Sequence, residues 1–407
     1  MTCSWTLVDT TAVLSKILPA ASCSGFGSVG AWTQWGHLFR QLQLAEAWYS
    51  AKWALAPSIR PNDPTTLRRY TYMKITAYAV KRPGGKAEPF FYERKVGKSD
   101  VLVNISHCAI GTGDVQMINN DWGDATFPLV PGHEIIGTIE QTGSSVAGLK
   151  KGDRVGVGYQ LAACFQCEFC NEGNEQFCPK QRVIGVDFYG GLAKNIIVDG
   201  RFAFKIPQKL DSAASAPLMS SGLTVYSAIA RANLSKNSKT AVLGIGGLGH
   251  LAIQFLRKKG HDVLAFSSSS KKEEMITSLG GKFVDTSNPD ALKRFTKKLD
   301  FILSTLNVEF ELNAYLKMLK PQGKLCLVAQ PLNKISLNAG LLYDYAQRSI
   351  YGNYTGSRKD MKDMLAFAAK HNVESIVTAM PFSKMNEAIE RVRSGKVPMR
   401  LVLENAV

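Results

Sequence analysis

Four cysteines, Cys164, Cys167, Cys170 and Cys178, stand in a C-x2-C-x2-C-x7-C array. Three thiolates crowded into seven residues, with a fourth one loop away, can converge on a tetrahedral Zn2+ at about 2.3 Å per bond. The residues between them (Phe165, Gln166, Glu168, Phe169, Asn171, Glu172, Gly173, Asn174) are turn-rich and poor in core side chains. The metal must therefore supply much of the local order, and a four-thiolate site is worth on the order of 10 kcal/mol of folding free energy. Two disulfides or four unrelated thiols are the alternatives, and the spacing argues against them. Four sulfur ligands leave no open coordination position, so the expected role is structural.

A second cluster of chemistry-bearing residues spans 240–266, T-A-V-L-G-I-G-G-L-G-H-L-A-I-Q-F-L-R-K-K-G-H-D-V-L-A-F. It reads as a short apolar strand (Ala241 to Leu243), a glycine turn, an amphipathic helix stopped by Gly260, and a second buried strand from Val263 to Phe266. Gly244 permits the tight turn, Gly246 lets backbone approach a pyrophosphate, and Gly249 lets the helix pack close on the strand. Gly247 and Leu248 complete the loop, and the helix N-terminus receives the negative charge. A glycine turn without a ligand is the plain alternative. After the second strand, where an NAD site places Asp or Glu, stand Ser267, Ser268, Ser269, Ser270, Lys271 and Lys272. Hydroxyl and ammonium groups suit a 2′-phosphate that a carboxylate would repel, so the expected cofactor is NADP(H). Further strands are expected near Lys282–Val284, Asp300–Leu303 and Lys324–Val328 with helices between them, a doubly wound α/β sheet. Ser304 and Thr305 close the middle one, at a ligand-binding edge.

The chain has 407 residues, enough for two or three domains. Its 45% hydrophobic and 20% charged content is ordinary for a soluble globular protein. The formal charge of +16 is high, but the basic residues are scattered beside helical apolar positions. A solvated basic surface that attracts a phosphate-bearing cofactor is expected, and no nucleic-acid partner. Residues 1–72 hold five of the six tryptophans and no sustained period. Ser22, Ser24, Gly25, Gly27, Ser28 and Gly30 interrupt any membrane span, and Lys16 breaks a would-be secretory core. The segment is expected to be a disordered leader or an upstream extension, with Met73 as the functional start. Zinc thiolates fit a reducing compartment, hence the cytoplasm.

From Met73 to about Pro207 the pattern is β-rich. It contains Gly132-His133-Glu134-x2-Gly137-x5-Gly143-x2-Val146, followed by Gly152-Asp153-Arg154-Val155. Together with the cysteine array and the nucleotide motif, residues 73–407 resemble the zinc-type medium-chain dehydrogenase/reductase family. The likeness is to its cinnamyl alcohol dehydrogenase and NADPH-dependent aldehyde reductase branch. The resemblance implies a GroES-like β-rich catalytic domain over 73–215, with the zinc lobe at 160–180. It implies a Rossmann NADP-binding domain over 216–348 and a C-terminal return to the catalytic domain over 349–407. A cleft between the two would hold nicotinamide and a small carbonyl substrate, and a homodimer is the family default.

The same resemblance places a catalytic zinc on a cysteine of a C-G-I-C-H-[ST]-D-like motif, the histidine of G-H-E, and a cysteine before the interdomain helix. Here the first motif reads Cys108-Ala109-Ile110-Gly111-Thr112-Gly113-Asp114, and the last reads Pro217-Leu218-Met219-Ser220-Ser221-Gly222-Leu223-Thr224. The ligand positions are therefore Gly111 and Ser220, while His133 and Glu134 survive. The groups that relay the substrate proton in relatives are replaced by Gly113 and Gln116. Cys108, three residues before the lost ligand on a strand, should face away. One imidazole and one carboxylate make a weak zinc site, so catalytic zinc is doubtful.

The expected activity is hydride transfer from NADPH to a conjugated C=C or an activated C=O without catalytic zinc. His133, Glu134, Thr112 and Ser220 are the catalytic candidates, His133 as acid and Thr112, Ser220 and Tyr189 as hydrogen-bond donors. Trp122 and Phe127 are candidates for the cleft mouth or, equally, for core packing. A conventional zinc-dependent alcohol dehydrogenase or aldehyde reductase and an NADPH-binding protein without turnover are the alternatives.

Overall fold

The structure is a computed structural model that describes residues 72–288, 292–397 and 399–405. The leader expected at 1–72 thus lies, but for Tyr72, outside the described residues.

The β-rich half begins where the alternation begins. Met73–Val80 buries Ile75, Ala77 and Ala79 on one face and pairs antiparallel with Ala87–Arg94. The main sheet of this half runs Val377–Pro381, Arg400–Glu404, Asp100–Ile110, Glu134–Thr142, Arg154–Val157, Ala203–Lys205, with Asn195–Asp199 also on the long strand 100–110. Its register decides the site. Ile110 stands opposite Leu401 on one side, and Ala109 stands opposite Glu134 on the other. The end of one strand and the beginnings of two neighbours therefore bring residues 111, 133–134 and 400 to one corner.

The nucleotide half is a six-stranded parallel sheet in the order Lys282–Asp285, Asp262–Ser267, Lys239–Leu243, Leu299–Ser304, Leu319–Leu327, Ser349–Gly352. The order, 3-2-1-4-5-6 within the sheet, is that of a doubly wound dinucleotide fold, whose ligand edge lies outside the carboxyl ends of the strands. Its strands are apolar runs rather than alternations because helices cover both faces. The helix Gly249–Lys258 turns Leu251, Ala252, Ile253, Phe255 and Leu256 inward, and Gly260, at φ +90°, ends it. A Cβ at Gly249 would strike the Gly244 carbonyl oxygen, so the close helix-to-turn packing inferred from the motif is real. One assignment changes. Ser349–Gly352, placed at the start of the C-terminal return, instead pairs parallel with Leu319–Leu327 as the last strand of the nucleotide sheet. A four-residue strand on a sheet edge carries too little pattern to reveal its partner.

Among the described residues, no helix is long and apolar enough to cross a membrane.

Candidate active site and zinc lobe

The four lobe cysteines converge. Their sulfur atoms all lie within 4.8 Å of one another, with Cys164 and Cys170 at 3.9 Å and Cys164 and Cys178 at 3.5 Å. A tetrahedron with Zn–S bonds of about 2.3 Å has edges of about 3.8 Å, so the set fits one closed zinc ion. Backbone N–H groups of Gln166 and Cys167 donate to the Cys164 sulfur, and that of Lys180 donates to Cys178, each at 3.4 Å. Such donors suit thiolates better than thiols. No disulfide joins any of the described cysteines. The lobe is pinned to the body by Arg358, whose guanidinium meets the Glu175 carboxylate at 2.9 Å.

The cleft between the halves is a cavity of about 920 Å³. His133 lies on its wall, just before the strand that opens at Glu134. The His133 Nδ1–H donates to Asp114 Oδ1 at 2.8 Å. Asp114 also accepts from the backbone N–H groups of Gly111 at 2.9 Å and Gly132 at 2.8 Å. Burial alone would raise the Asp114 pKa; the charge of His133 and these three hydrogen bonds outweigh it and hold the carboxyl below its usual range. The imidazole tautomer is thereby fixed, with Nε2 left for the cleft. A side chain at Gly113 would touch the ring, its Cβ lying 3.3 Å from His133 Cε1.

Across the cavity, the Tyr159 ring meets His133 edge-on at 6.1 Å and Tyr354 edge-on at 5.8 Å. Burial raises the Tyr159 phenol above its ordinary pKa, so it stays a neutral donor. Tyr354 is held through its backbone: the Thr224 hydroxyl donates to its carbonyl at 3.2 Å, and the preceding Asn353 amide donates to the Ser227 hydroxyl at 2.9 Å.

Thr112, Ser220, Gln116 and Trp122 line this cavity as expected. Two other expectations, for Glu134 and Tyr189, are corrected, and one alternative, for Phe127, is decided. Glu134 is fully buried and does not line the cavity: its Oε1 accepts from the Ser221 N–H at 2.9 Å and hydroxyl at 2.8 Å, and its other oxygen pairs with the Arg400 guanidinium. A catalytic carboxylate there has no free oxygen left. Tyr189 packs between Phe90 and Tyr92, with ring centroids at 5.3 and 4.6 Å, and does not line the cavity either. Phe127 packs against the core of the β-rich half rather than the cleft mouth. Cys108 behaves as its strand position requires. It is wholly buried, and its sulfur fills the space beside Gly132 and Gly191.

The residues at the ligand positions do not fit a catalytic zinc. A Cβ at Gly111 would lie 2.7 Å from Arg400 Nη1 and 3.0 Å from Nη2, so the guanidinium fills the place where a ligand side chain would stand. Ser220 is a neutral hydroxyl, and Glu134 is fully engaged. Among the described residues, only the cysteine lobe brings together three or more metal-binding side chains.

The cofactor end fits a dinucleotide. Gly244, at φ +82°, makes the turn; Gly244, Gly246, Gly247 and Leu248 face the cavity. The Thr305 hydroxyl donates to the Gly244 carbonyl at 2.6 Å and ties the turn to the next strand. His250 locks the loop from below. Its Nδ1–H donates to the Gly246 carbonyl at 3.0 Å, and its Nε2 accepts from Ile376 N–H at 3.1 Å. Ser267 is buried at the strand end, and Ser269 N–H donates to its hydroxyl at 3.2 Å. Of the two lysines, Lys271 is exposed, whereas Lys272 turns back and donates to the Ile245 carbonyl at 2.6 Å. The helical turn at 270–272 sets which of the two side chains faces inward.

Asp114, Tyr159, Tyr354 and Arg400 are thus functional candidates that spacing did not single out. A lone basic residue opening the apolar strand R-L-V-L-E was the available signal for Arg400.

Comparison with known proteins agrees with this architecture. Residues 97–208 match the alcohol dehydrogenase GroES-like domain, and residues 247–370 match the zinc-binding dehydrogenase domain. Aldehyde reductase AdhA of Synechocystis sp. is 37% identical over 334 residues, covering 82% of this chain and 99% of its own. A cinnamyl alcohol dehydrogenase from Sorghum bicolor superposes with a TM-score of 0.78 at 32% identity, covering 82% of this chain and 98% of its own. The cinnamyl alcohol dehydrogenase of Helicobacter pylori, solved in complex with NADP(H), gives a TM-score of 0.76 at 30% identity, covering 82% and 99%.

Proposed function

The chain belongs to the zinc-type medium-chain dehydrogenase/reductase family, and on that premise we propose that it is an NADPH-dependent reductase working without a catalytic zinc ion. The reaction is reduction of a small carbonyl compound at a conjugated C=C or an activated C=O. The observation that carries this reading is the fate of the ligand positions. Position 111 has no side chain and is filled by Arg400, Glu134 is committed to Ser221 and Arg400, and Ser220 replaces a thiolate.

The cofactor, when bound at the glycine turn, supplies the hydride. NADP(H) rather than NAD(H) is supported by Ser267, Ser269 and the inward Lys272, by the absence of a carboxylate at 267–272, and by the Helicobacter pylori relative solved with NADP(H). The cleft holds the acceptor in a fixed orientation, which is a large part of the work in hydride transfer. Negative charge that develops on the substrate oxygen meets the hydroxyls of Thr112, Ser220 and Tyr159, all on the cavity wall. His133 donates the proton from Nε2, and Asp114 holds the opposite nitrogen and so aims the ring. Hydride and proton together complete a two-electron reduction. The reduced lobe thiols fit a protein of the cytoplasm.

The test combines metal analysis with a substrate panel. Protein purified under reducing conditions and washed with a weak chelator should hold one zinc per chain. It should oxidise NADPH with enals, enones or quinones, unaffected by the chelator. Asp114→Asn should cost about 10²–10⁴ in kcat with little change in KM for NADPH. Two zinc ions per chain, with aldehyde reduction lost as the second is removed, would establish the conventional metal mechanism instead.

A further inference from the structure

The cleft carries its two signs of charge on different walls. On the side of the glycine turn its basic side chains, Lys272 and Arg400, are spent on the Ile245 carbonyl and on Glu134. Its acidic side chains, Asp121 and Asp124, follow the end of the helix Thr112–Asn119. There Asn120 takes the left-handed conformation at φ 59° and Gly123 has φ +81°, while the Asn120 side-chain oxygen accepts from Ala125 N–H at 3.1 Å. This turn presents Asp121, Trp122 and Asp124 to the cavity. Among the described residues neither carboxylate is paired with a cation, in a chain whose formal charge is +16. Three aromatic rings line the same space. Trp122 Cη2 lies 3.9 Å from where a Cβ at Gly113 would stand, and that Cβ would touch His133. Tyr159 meets His133 edge-on, and Tyr354 meets Tyr159 in the same way. Burial first, and the Asp124 charge after it, raise both phenols, so both rings stay neutral beside the carboxylate.

We propose that Asp121, Trp122 and Asp124, with Tyr159 and Tyr354, select a carbonyl substrate that carries a positively charged nitrogen, such as an amine-bearing enal or enone. The proposal rests on the reductase reading of the cleft and names its substrate class. Aromatic faces and carboxylates attract the same kind of ligand. The ring quadrupole favours a cation within about 6 Å of its centre, and an unpaired carboxylate attracts a cation and repels an anion. A protonated or quaternary amine satisfies both, whereas a carboxylate or phosphate satisfies neither. The carbonyl lies toward His133 and the cationic group toward the 120–125 turn. The whole-chain charge makes the local one more telling. A protein of net charge +16 repels a cation at long range, so two free carboxylates at the cleft are a local reversal of that field.

The experiment compares three cinnamaldehydes that differ in the charge of one substituent: para-(trimethylammonio)methyl, para-neopentyl and para-carboxymethyl. The methylene insulates the conjugated carbonyl, and the first two probes have the same shape. With NADPH, kcat/KM should be about tenfold or more higher for the cation than for the neutral probe, and lower again for the anion. Asp121→Asn/Asp124→Asn should shrink the cation-to-neutral ratio by about tenfold, and Trp122→Leu by a few-fold. Each readout is a ratio within one protein, so a general loss of activity cancels. Added salt should compress the same ratio in the unaltered protein, which keeps the test decisive if the double variant fails to fold. Equal kcat/KM for the cationic and neutral probes, or a ratio that neither the double variant nor salt changes, would overturn the proposal. Failure of the reductase reading looks different: no probe would be reduced at all. Calorimetric binding of the probes to protein loaded with NADP+ then judges the cation site by itself. Tighter binding of the cation supports it, and equal binding of cation and neutral probe ends it.

Discussion

The cysteine lobe and the corner around Gly111 are the two zinc positions that the family pattern implies, and in this chain the lobe keeps four thiols while the corner has glycine and serine at two of its ligand positions. The lobe draws all four ligands from residues 164–178, a segment with little core of its own. The corner draws its positions from 111, 133–134 and 220, each set by an element that is stable without a metal: the strand 100–110, the strand 134–142, and the helix Ser221–Ala232. Removing one lobe cysteine undoes local folding. Removing the ligands at the corner undoes only chemistry, since the sheet register still delivers Arg400 to balance Glu134. A metal that folds its own ligands is hard to lose; ligand positions on prefolded walls can change without undoing the fold.

The largest expected effect lies at the lobe. Cys170→Ser breaks a four-thiolate site worth on the order of 10 kcal/mol of folding free energy. Zinc per chain should fall from one to zero, and residues 164–178 should become the first site of proteolytic cleavage. If this variant still retained one zinc ion, that ion would sit elsewhere, and the contrast between the two regions would be reversed.

At the corner the corresponding change is Glu134→Ala. It leaves the buried Arg400 without its counter-charge, and breaking a buried pair from one side costs about 3–5 kcal/mol. In a domain of this size that is a fall in melting temperature of roughly 10 °C. Zinc content should stay at one per chain. Burial lowers the Arg400 pKa to about 10, which still leaves it charged near neutrality, so the penalty should persist across that range. A stability unchanged by the substitution would mean that the pair contributes nothing and that the corner tolerates an unpaired cation.

How far these regions could be read in the sequence follows the same division. The lobe was legible because its chemistry is local, one spacing in one segment. The glycine turn was legible for the same reason, with its strand before and its helix after. The corner was legible only as a loss. Gly111 and Ser220 declared that ligands were missing, but not that Arg400 filled the gap, because the contact depends on antiparallel pairing between segments at opposite ends of the described chain. Asp114 stood in the motif beside Gly111, yet its hold on His133 requires the turn at Gly132 to fold over it. Tyr189, a polar aromatic near the lobe, was a reasonable donor by composition, but packing against Phe90 and Tyr92 turned it away from the cleft. Short strands and single inward side chains are decided by tertiary neighbours, which no local pattern encodes.

The finest probe of the contrast is a single methyl group. Gly111 has φ −126° and ψ 177°, extended backbone that alanine adopts without strain, so Gly111→Ala tests only the space above it. That space holds the Arg400 guanidinium, with Nη1 2.7 Å from the new carbon. Displacing it should cost about 1 kcal/mol, at the low end for overpacking, because the atom that must yield is the end of a flexible side chain. The cost should largely vanish when Arg400→Lys is made as well, which a double-mutant cycle on thermal or denaturant unfolding would read as a coupling of 0.5 kcal/mol or more, roughly the level expected for residues in contact. The cysteine lobe offers the control, since neither change should alter zinc content there. An additive cycle would mean that the guanidinium already moves freely out of the corner. The glycine would then be a gap rather than the room that the guanidinium requires.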